Sequence, residues 1–455
     1  MSRVFMQTGV RVIIWGCIFL SACASKNPDN IRKENADRFV KELNARTEKE
    51  LEKKKGFTLS DCIRIAEKNN LKVRSEEMTR RISQLDRKIA FSNFLPKIDL
   101  EATYLIGKHN PTQRMGAGWG QVSDRHFMTS VVSAQQPVFV PYSWYLYRML
   151  SKGADISALV AERTRQLISL KVTGLFYRCL TLKEVAAVLT SAVKREERLL
   201  SEISKYHTEG LVLNSDLLAV EASLSYQEHL LSENCRMLDR SRSQLLEAMG
   251  LDPFKKIELL AEEKKEIHLP LLNDLVIAAL LNRPEMKLQD RKYEISRDRV
   301  KIAITNFLPV VSAIGSFQHD TDSYVKYSSQ WVGGAMGVMS LFNGFANINK
   351  YRAAREKAKR AYVEREEACL MVMLQVQQAF QNVQSAQEIR RVAEKTDAAR
   401  TEKLREEQAR YKQGLIRVSE LLKAVSDADA SGADLLAAEY SYQVSLKALE
   451  DVTGR

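Results

Sequence analysis

Proline is scarce in this 455-residue chain and unevenly placed. The nine prolines fall at 28, 96, 111, 137, 141, 253, 270, 284 and 309, so residues 142–252 and 310–455 contain none. Because proline breaks helix interiors, these gaps are where very long helices can run. Long apolar stretches are missing too. Past the N-terminus nothing reaches the ~18 apolar residues of a spanning helix, so a membrane crossing would have to use strands of a closed barrel. Recurrent catalytic patterns are also absent. The histidines at 109, 126, 207, 229, 268 and 319 make no HExxH or other ligand spacing, and there is no GxSxG, CxxC or phosphate loop. Residues 116–120, Gly-Ala-Gly-Trp-Gly, have the glycines of a nucleotide loop without the strand and helix around it, and are set aside. No enzyme, metal or cofactor is expected.

What is present is charge: a formal +12. The basic residues alternate with acids, as in Arg355-Glu356-Lys357 and Glu402-Lys403-Leu404-Arg405-Glu406-Glu407. That is a solvated helix face and not a phosphate-binding patch, so no nucleic-acid partner is expected.

The first residues carry an address. Arg3 and Arg11 precede the apolar run Val12 to Leu20, which ends in Leu20-Ser21-Ala22-Cys23. This is a secretory signal over 1–22. Its end resembles a bacterial lipobox, which implies cleavage before Cys23 and acylation there; the alternative is a simple cleaved signal. Several acyl chains make a stable lipid anchor, and Ala24 after the cysteine favours the outer membrane. Cys62, Cys179, Cys235 and Cys369 each sit in a helical pattern and are expected as buried free thiols.

The chain is written twice. Asp61–Pro96 aligns with Asp274–Pro309 at a constant offset of 213, with 12 of 36 positions identical. The block Lys88-Ile89-Ala90 … Asn93-Phe94-Leu95-Pro96 repeats as Lys301-Ile302-Ala303 … Asn306-Phe307-Leu308-Pro309. Further on, Tyr206-His207-Thr208-Glu209-Gly210-Leu211 corresponds to Tyr411-Lys412-Gln413-Gly414-Leu415. The expected organisation is a signal over 1–22, an extension over 23–56, a first repeat over 57–252, a linker over 253–270 and a second repeat over 271–455. Each repeat reads as a helix ending at Asn-Phe-Leu-Pro, two extended segments, a very long helix, a glycine turn and a second long helix. Phe345 to Gln413 holds 69 residues without Gly or Pro, about 100 Å of helix. Ile168, Val172, Leu175, Cys179, Leu182, Ala186, Leu189 and Val193 alternate at spacings of four and three. Val372, Val376, Ala379, Val383 and Ala386 continue the same pattern, a coiled-coil seam.

The extended segments lie near 97–106, 126–139, 309–318 and 330–342. In the first, Ile98, Leu100, Ala102, Tyr104 and Ile106 alternate with Lys97, Asp99, Glu101 and Thr103, the apolar-out, polar-in pattern of a membrane barrel strand. The other three are glycine-rich or mixed, and a soluble hairpin remains the alternative. Four strands cannot close a spanning barrel, since small barrels need about eight. Several copies must therefore pool strands; three give twelve. Loops 107–125 and 319–329 then lie outside the cell.

The paired Asn-Phe-Leu-Pro ends, Phe342-Asn343-Gly344 and the two Tyr…Gly turns resemble the TolC family of outer-membrane efflux proteins across about 57–450, and the lipobox resembles its acylated, OprM-like branch. The resemblance implies a mainly α fold with a membrane β-barrel portion, and a homotrimer with a twelve-stranded barrel and a coiled-coil helical tunnel. Its implied location is the outer membrane, anchored through Cys23. Its implied partners are a periplasmic adaptor and an inner-membrane pump of RND or ABC type, serving efflux or type I secretion.

In that family the hairpin turns, here at Gly210 and Gly414, form the periplasmic tip. By position Asp216, Tyr411, Arg417 and Glu420 become gate candidates. The chain departs from the pattern at Ile416, where the family prototype has arginine, and at Lys423, where it has a second acid. Asp216 and Glu420 equally suit the first turns of helices. Residues 29–55 are either an extension along the outside of a trimer or a solvated tether. Val140-Pro141 stands where the second repeat has Asn343-Gly344. The rival reading is a periplasmic coiled-coil scaffold lipoprotein without a pore.

Overall fold

The computed structural model describes residues 28–52, 54–261 and 269–454; the expected signal over 1–22 and the expected acylation site Cys23 lie outside the described residues. The first repeat contains α2 (Leu59–Asn69), α3 (Leu71–Ser92), β1 (Lys97–Ile106), β4 (His126–Phe139), α4 (Pro141–Thr208) and α5 (Asn214–Ala248). It is preceded by α1 (Pro28–Leu51), and a small hairpin, β2 (Thr112–Met115) and β3 (Gly118–Gln121), sits between β1 and β4. The second repeat contains α6 (Leu272–Asn282), α7 (Pro284–Thr305), β5 (Val310–Asp320), β6 (Ser329–Val338), α8 (Ala346–Lys412) and α9 (Val418–Thr453). The offset of 213 carries α2 onto α6 and α3 onto α7 residue for residue at both ends.

The long helices follow from the proline-free gaps: α4 has 68 residues and α8 has 67. Each turns back at a glycine in the left-handed region, Gly210 at φ +74° and Gly414 at φ +72°. At both turns the next N–H closes a six-residue cap, Leu211 N donating to Tyr206 O at 2.8 Å and Leu415 N to Arg410 O at 3.0 Å. In α8 the seam Val372, Val376, Ala379, Val383 and Ala386 is buried throughout. These residues meet Leu275 and Ala279 of α6, and Leu446 and Leu449 of α9. The first repeat makes the equivalent core. Cys62, Ile65 and Ala66 of α2 pack on Ile168, Val172, Phe176 and Cys179 of α4, with Leu245 and Leu246 of α5. Each such aliphatic side chain contributes about 1.5–3 kcal/mol by leaving water.

Ion pairs then tie repeat to repeat along the length. Lys152 Nζ donates to the buried Asp298 at 2.8 Å, Arg163 to Asp451 at 2.8 Å, and Arg195 of α4 pairs with Asp429 of α9. Helix α1 is exposed along most of its length, and its end docks: Asp252 N donates to the buried Thr47 hydroxyl at 2.9 Å, and Lys68 to the buried Glu50 at 2.8 Å.

All four described cysteines are free, but their burial differs from expectation. Cys62 and Cys179 are buried, Cys369 is half-buried and Cys235 is exposed. Cys235 lies on the polar face of α5 beside Ser232 and Arg236, one step past the inward-facing Asn234. Burial pushes the Cys179 thiol up to about 12. Maleimide should therefore label Cys235 rapidly and leave Cys62 and Cys179 untouched until denaturant is added. Equal labelling of all the cysteines in the native protein would contradict this packing.

Candidate functional site

Two ends of the molecule hold the functional candidates: the sheet at one end and the helix turns at the other.

The four long strands make one antiparallel sheet in the order β1-β4-β5-β6. Register decides what each face is. Leu100 pairs with Val132, Val132 with Phe317, and Phe317 with Trp331, so all four share one face. Ile98, Ala134, Gly315 and Gly333 form the neighbouring row on that face. The other face carries Asp99, Ser133 and Ser316 in one row, and Thr103, Thr129 and Asp320 in another. The apolar face legible in β1 thus extends across the sheet in the Leu100 and Ile98 rows, while the Ala102 row on the same face turns polar at Ser130, His319 and Ser329. Every residue of β1 and of β6 is exposed in the single chain, and among the described residues no helix packs across the sheet. Both outer strands have a free edge within this sheet. Pro137, which could not donate within a regular ladder, sits at a break in register between Pro137 and Phe139.

Aromatic side chains cluster where strands pass into long helices. Phe139 stacks edge-on against Trp144 at 5.8 Å, and Phe342 against Phe345 at 5.4 Å. Such belts suit a membrane–water interface. The two crossings differ as their sequences differ. Pro141 starts α4 directly, whereas Gly344 and Phe345 both take positive φ, +63° and +65°, before α8. At the far end of the strands the connecting loops clasp each other. Asp322 accepts from the Ser123 hydroxyl and, at 2.9 Å, from Asp124 N, while Ser323 N donates to Asp124 at 2.6 Å.

At the opposite end the two hairpin turns lie together around a small core of Ile203, Val220 and Val418, against which Leu217 and Tyr411 pack. Of the gate candidates, Tyr411 is half-buried in this core and faces a cavity of about 780 Å³ that Glu202, Tyr206 and Ile416 also line. Burial raises the Tyr411 phenol above its ordinary value, and the nearby Glu202, Tyr206 and Asp216 add to the rise. Asp216 is half-exposed in the first turn of α5. Glu420 is exposed in the first turn of α9, and Arg417, also exposed, precedes that helix as its N-cap. The structure therefore brings Tyr411 and Asp216 near each other and leaves Arg417 and Glu420 at the surface of the single chain. Ile416, in the place of the prototype's arginine, lines the cavity with an aliphatic wall.

Two features went unread in the sequence. One is the β2–β3 hairpin inside loop 107–125, which presents Trp119 to solvent. The other is a polar layer two turns above the tip core, in which Glu196 and Gln227 are buried beside the half-buried pair Arg195 and Asp429. Its signal was available. Continuing the seam past Val193 by three lands on Glu196, a charged residue at a position that otherwise holds aliphatic ones.

An antiparallel sheet with open edges, joined to coiled-coil hairpins of about 100 Å, is the architecture of a barrel-and-tunnel fold. Residues 275–455 match the family model "Outer membrane efflux protein". The resemblance read from the doubled motifs is borne out. The Campylobacter jejuni CmeC outer membrane channel superposes with a TM-score of 0.77 at 16% identity, over 87% of this chain and 85% of that one. The Vibrio cholerae outer membrane protein VceC gives 0.73 at 14% identity, over 87% and 96%. The open state of the Neisseria gonorrhoeae MtrE outer membrane channel gives 0.72 at 16% identity, over 87% and 88%. Identities this low carry the fold alone. No curated protein matches the sequence. The expected fold class, mainly helical with a barrel portion, agrees with these structures.

Proposed function

We propose that three copies of this chain form an outer-membrane efflux channel, pooling their strands into a twelve-stranded barrel and their hairpins into a periplasmic tunnel. The observation that carries this reading is the four-stranded sheet across which no described helix packs, with an unpaired edge at each side. In lipid an open edge leaves backbone N–H and C=O groups unsatisfied, each costing several kcal/mol, about 4–8 by transfer to hydrocarbon. Strand direction alternates along β1-β4-β5-β6, so β6 of one copy runs antiparallel to β1 of the next and the ring closes without a parallel pair. Apolar rows then meet lipid and the Asp99, Ser133 and Ser316 row meets water.

The finer reading follows the family resemblance. The channel is the passive exit duct of a tripartite efflux or type I secretion machine, receiving substrate from an adaptor and an RND or ABC pump. Cleavage and acylation at Cys23 anchor the trimer to the outer membrane. Asp216, Tyr411, Arg417 and Glu420 line the periplasmic mouth, and Gly210 and Gly414 make its hairpin turns. Residues 57–252 and 271–455 act as the two repeats of each protomer, joined by the 253–270 linker. Protein extracted from outer membranes and added to a planar bilayer should give current steps of uniform size. A protein that never conducts supports the pore-free scaffold instead.

A further inference from the structure

Glu196 lies on the seam of α4, where Val193 precedes it and Leu200 and Ile203 follow at the same alternating spacing. It is 2% exposed, and its Oε2 has no hydrogen-bond partner. On α5 the matching position is Gln227. Ile203 and Val220 meet in the tip core, and seven residues further from the tip on each helix come Glu196 and Gln227. Gln227 is 4% exposed and its Oε1 is likewise unpartnered. Two buried oxygen acceptors without donors are costly to keep, and a proton on the Glu196 carboxyl removes the charge from the costlier of them.

Among the described residues no cation makes an ion pair with it, although Arg195 lies close enough to favour its charged form. Its neighbour on α4, Arg195, turns a terminal guanidinium nitrogen to Asp429 of α9. Helix α5 offers the neutral Ser223 and Gln227, and α8 brings Tyr411 and Lys412 to the wall of the tip cavity, which Arg195, Glu196, Arg198 and Glu202 also line.

We propose that Glu196 is a proton-operated latch on the tunnel tip. Carrying its proton, it lets α4 pack closed against α5 and, through Arg195–Asp429, against α9. Losing it, the charged carboxylate loosens α4 from α5 and, through Arg195–Asp429, from α9 of the other hairpin as it reaches for water. Burial is the main influence on the carboxyl and raises its pKa above the usual range; Asp429 adds to the rise, while Ser223 and Arg195 oppose it. The sign follows from linkage. In the packed state Glu196 holds its proton to higher pH than in the opened state, so packing is unpenalised in acid. It weakens as pH climbs above the ordinary carboxylate range and through the raised value.

The latch rests on reading the hairpin turns as the mouth of the duct. The test uses the full trimer with Cys235→Ser and nitroxide labels at Glu209→Cys and Gln413→Cys, exposed positions just before the two turn glycines. Labelled chains are diluted with unlabelled ones, so that the distance within one chain is read. Between about pH 5 and pH 8 the separated population should grow, by at most about tenfold per pH unit for one proton. Glu196→Gln, which keeps shape and neutrality, should hold the short distance at every pH. A flat wild-type profile would sink the latch, and so would a Glu196→Gln profile that tracks the wild type. Because the distance is read within one chain, a latch failure in a conducting trimer leaves the duct standing. A non-trimeric, non-conducting protein would sink the duct instead.

Discussion

Leu100→Arg should abolish outer-membrane assembly, while Glu101→Arg at the next position should leave it largely intact. The two side chains point to opposite faces of β1. Leu100 stands in the row with Val132, Phe317 and Trp331, and Glu101 pairs with Val131 on the polar face. An arginine on the lipid side of a barrel costs about 2–4 kcal/mol near the bilayer midplane, and a trimer incurs that cost three times. The same arginine facing a water-filled lumen stays hydrated. The readout is the heat-modifiable oligomer in outer-membrane fractions. If both variants assemble equally well, the face assignment fails and a soluble sheet becomes the better reading.

The second large effect concerns Gly250, at the end of α5. Its φ is +69°, and a Cβ there would fall 2.4 Å from Asn69 O and 2.6 Å from Asn69 C. The backbone at the α2–α3 junction approaches closely because Asn70 donates to Ala248 O at 2.8 Å while capping α3 through Lys72 N and Val73 N. Gly250→Ala therefore combines backbone strain with an overlap that no side-chain rotation relieves, and should cost about 3–5 kcal/mol. Gly210 is the control. Its φ is +74°, yet nothing lies within 4 Å of its Cβ position, so Gly210→Ala should cost only about 1–2 kcal/mol. Thermal melts in detergent would compare them. Equal shifts in Tm would show that the junction yields.

Much of this architecture was legible because it rests on local rules. Proline placement set the long helices, the period of alternating three and four set their buried stripe, and glycine marked both turns. The duplication made each half a check on the other, which is why α6 and α7 begin and end where α2 and α3 predict. Strand β1 declared its two faces alone. Strands β5 and β6 did not, since glycines such as Gly315, Gly333 and Gly334 carry no side chain to alternate, and only the register recovered their sides.

The candidate site was legible in part. Tyr411 and Asp216 lie near each other at the tip, but whether Arg417 and Glu420 meet anything depends on neighbouring copies that one sequence does not position. Cys235 misled because a helical pattern says that a residue faces some side of a helix, not which side is covered. Glu196 went unnoticed because a seam was traced by its aliphatic members, and the informative member was the exception.

The central claim is that three chains share one barrel. Native mass spectrometry of the protein extracted from outer membranes tests it most directly. The predicted species is a trimer whose subunits begin at Cys23 and carry acyl groups. A monomer or dimer would contradict the shared barrel and leave the free edges of β1 and β6 to be covered in some other way.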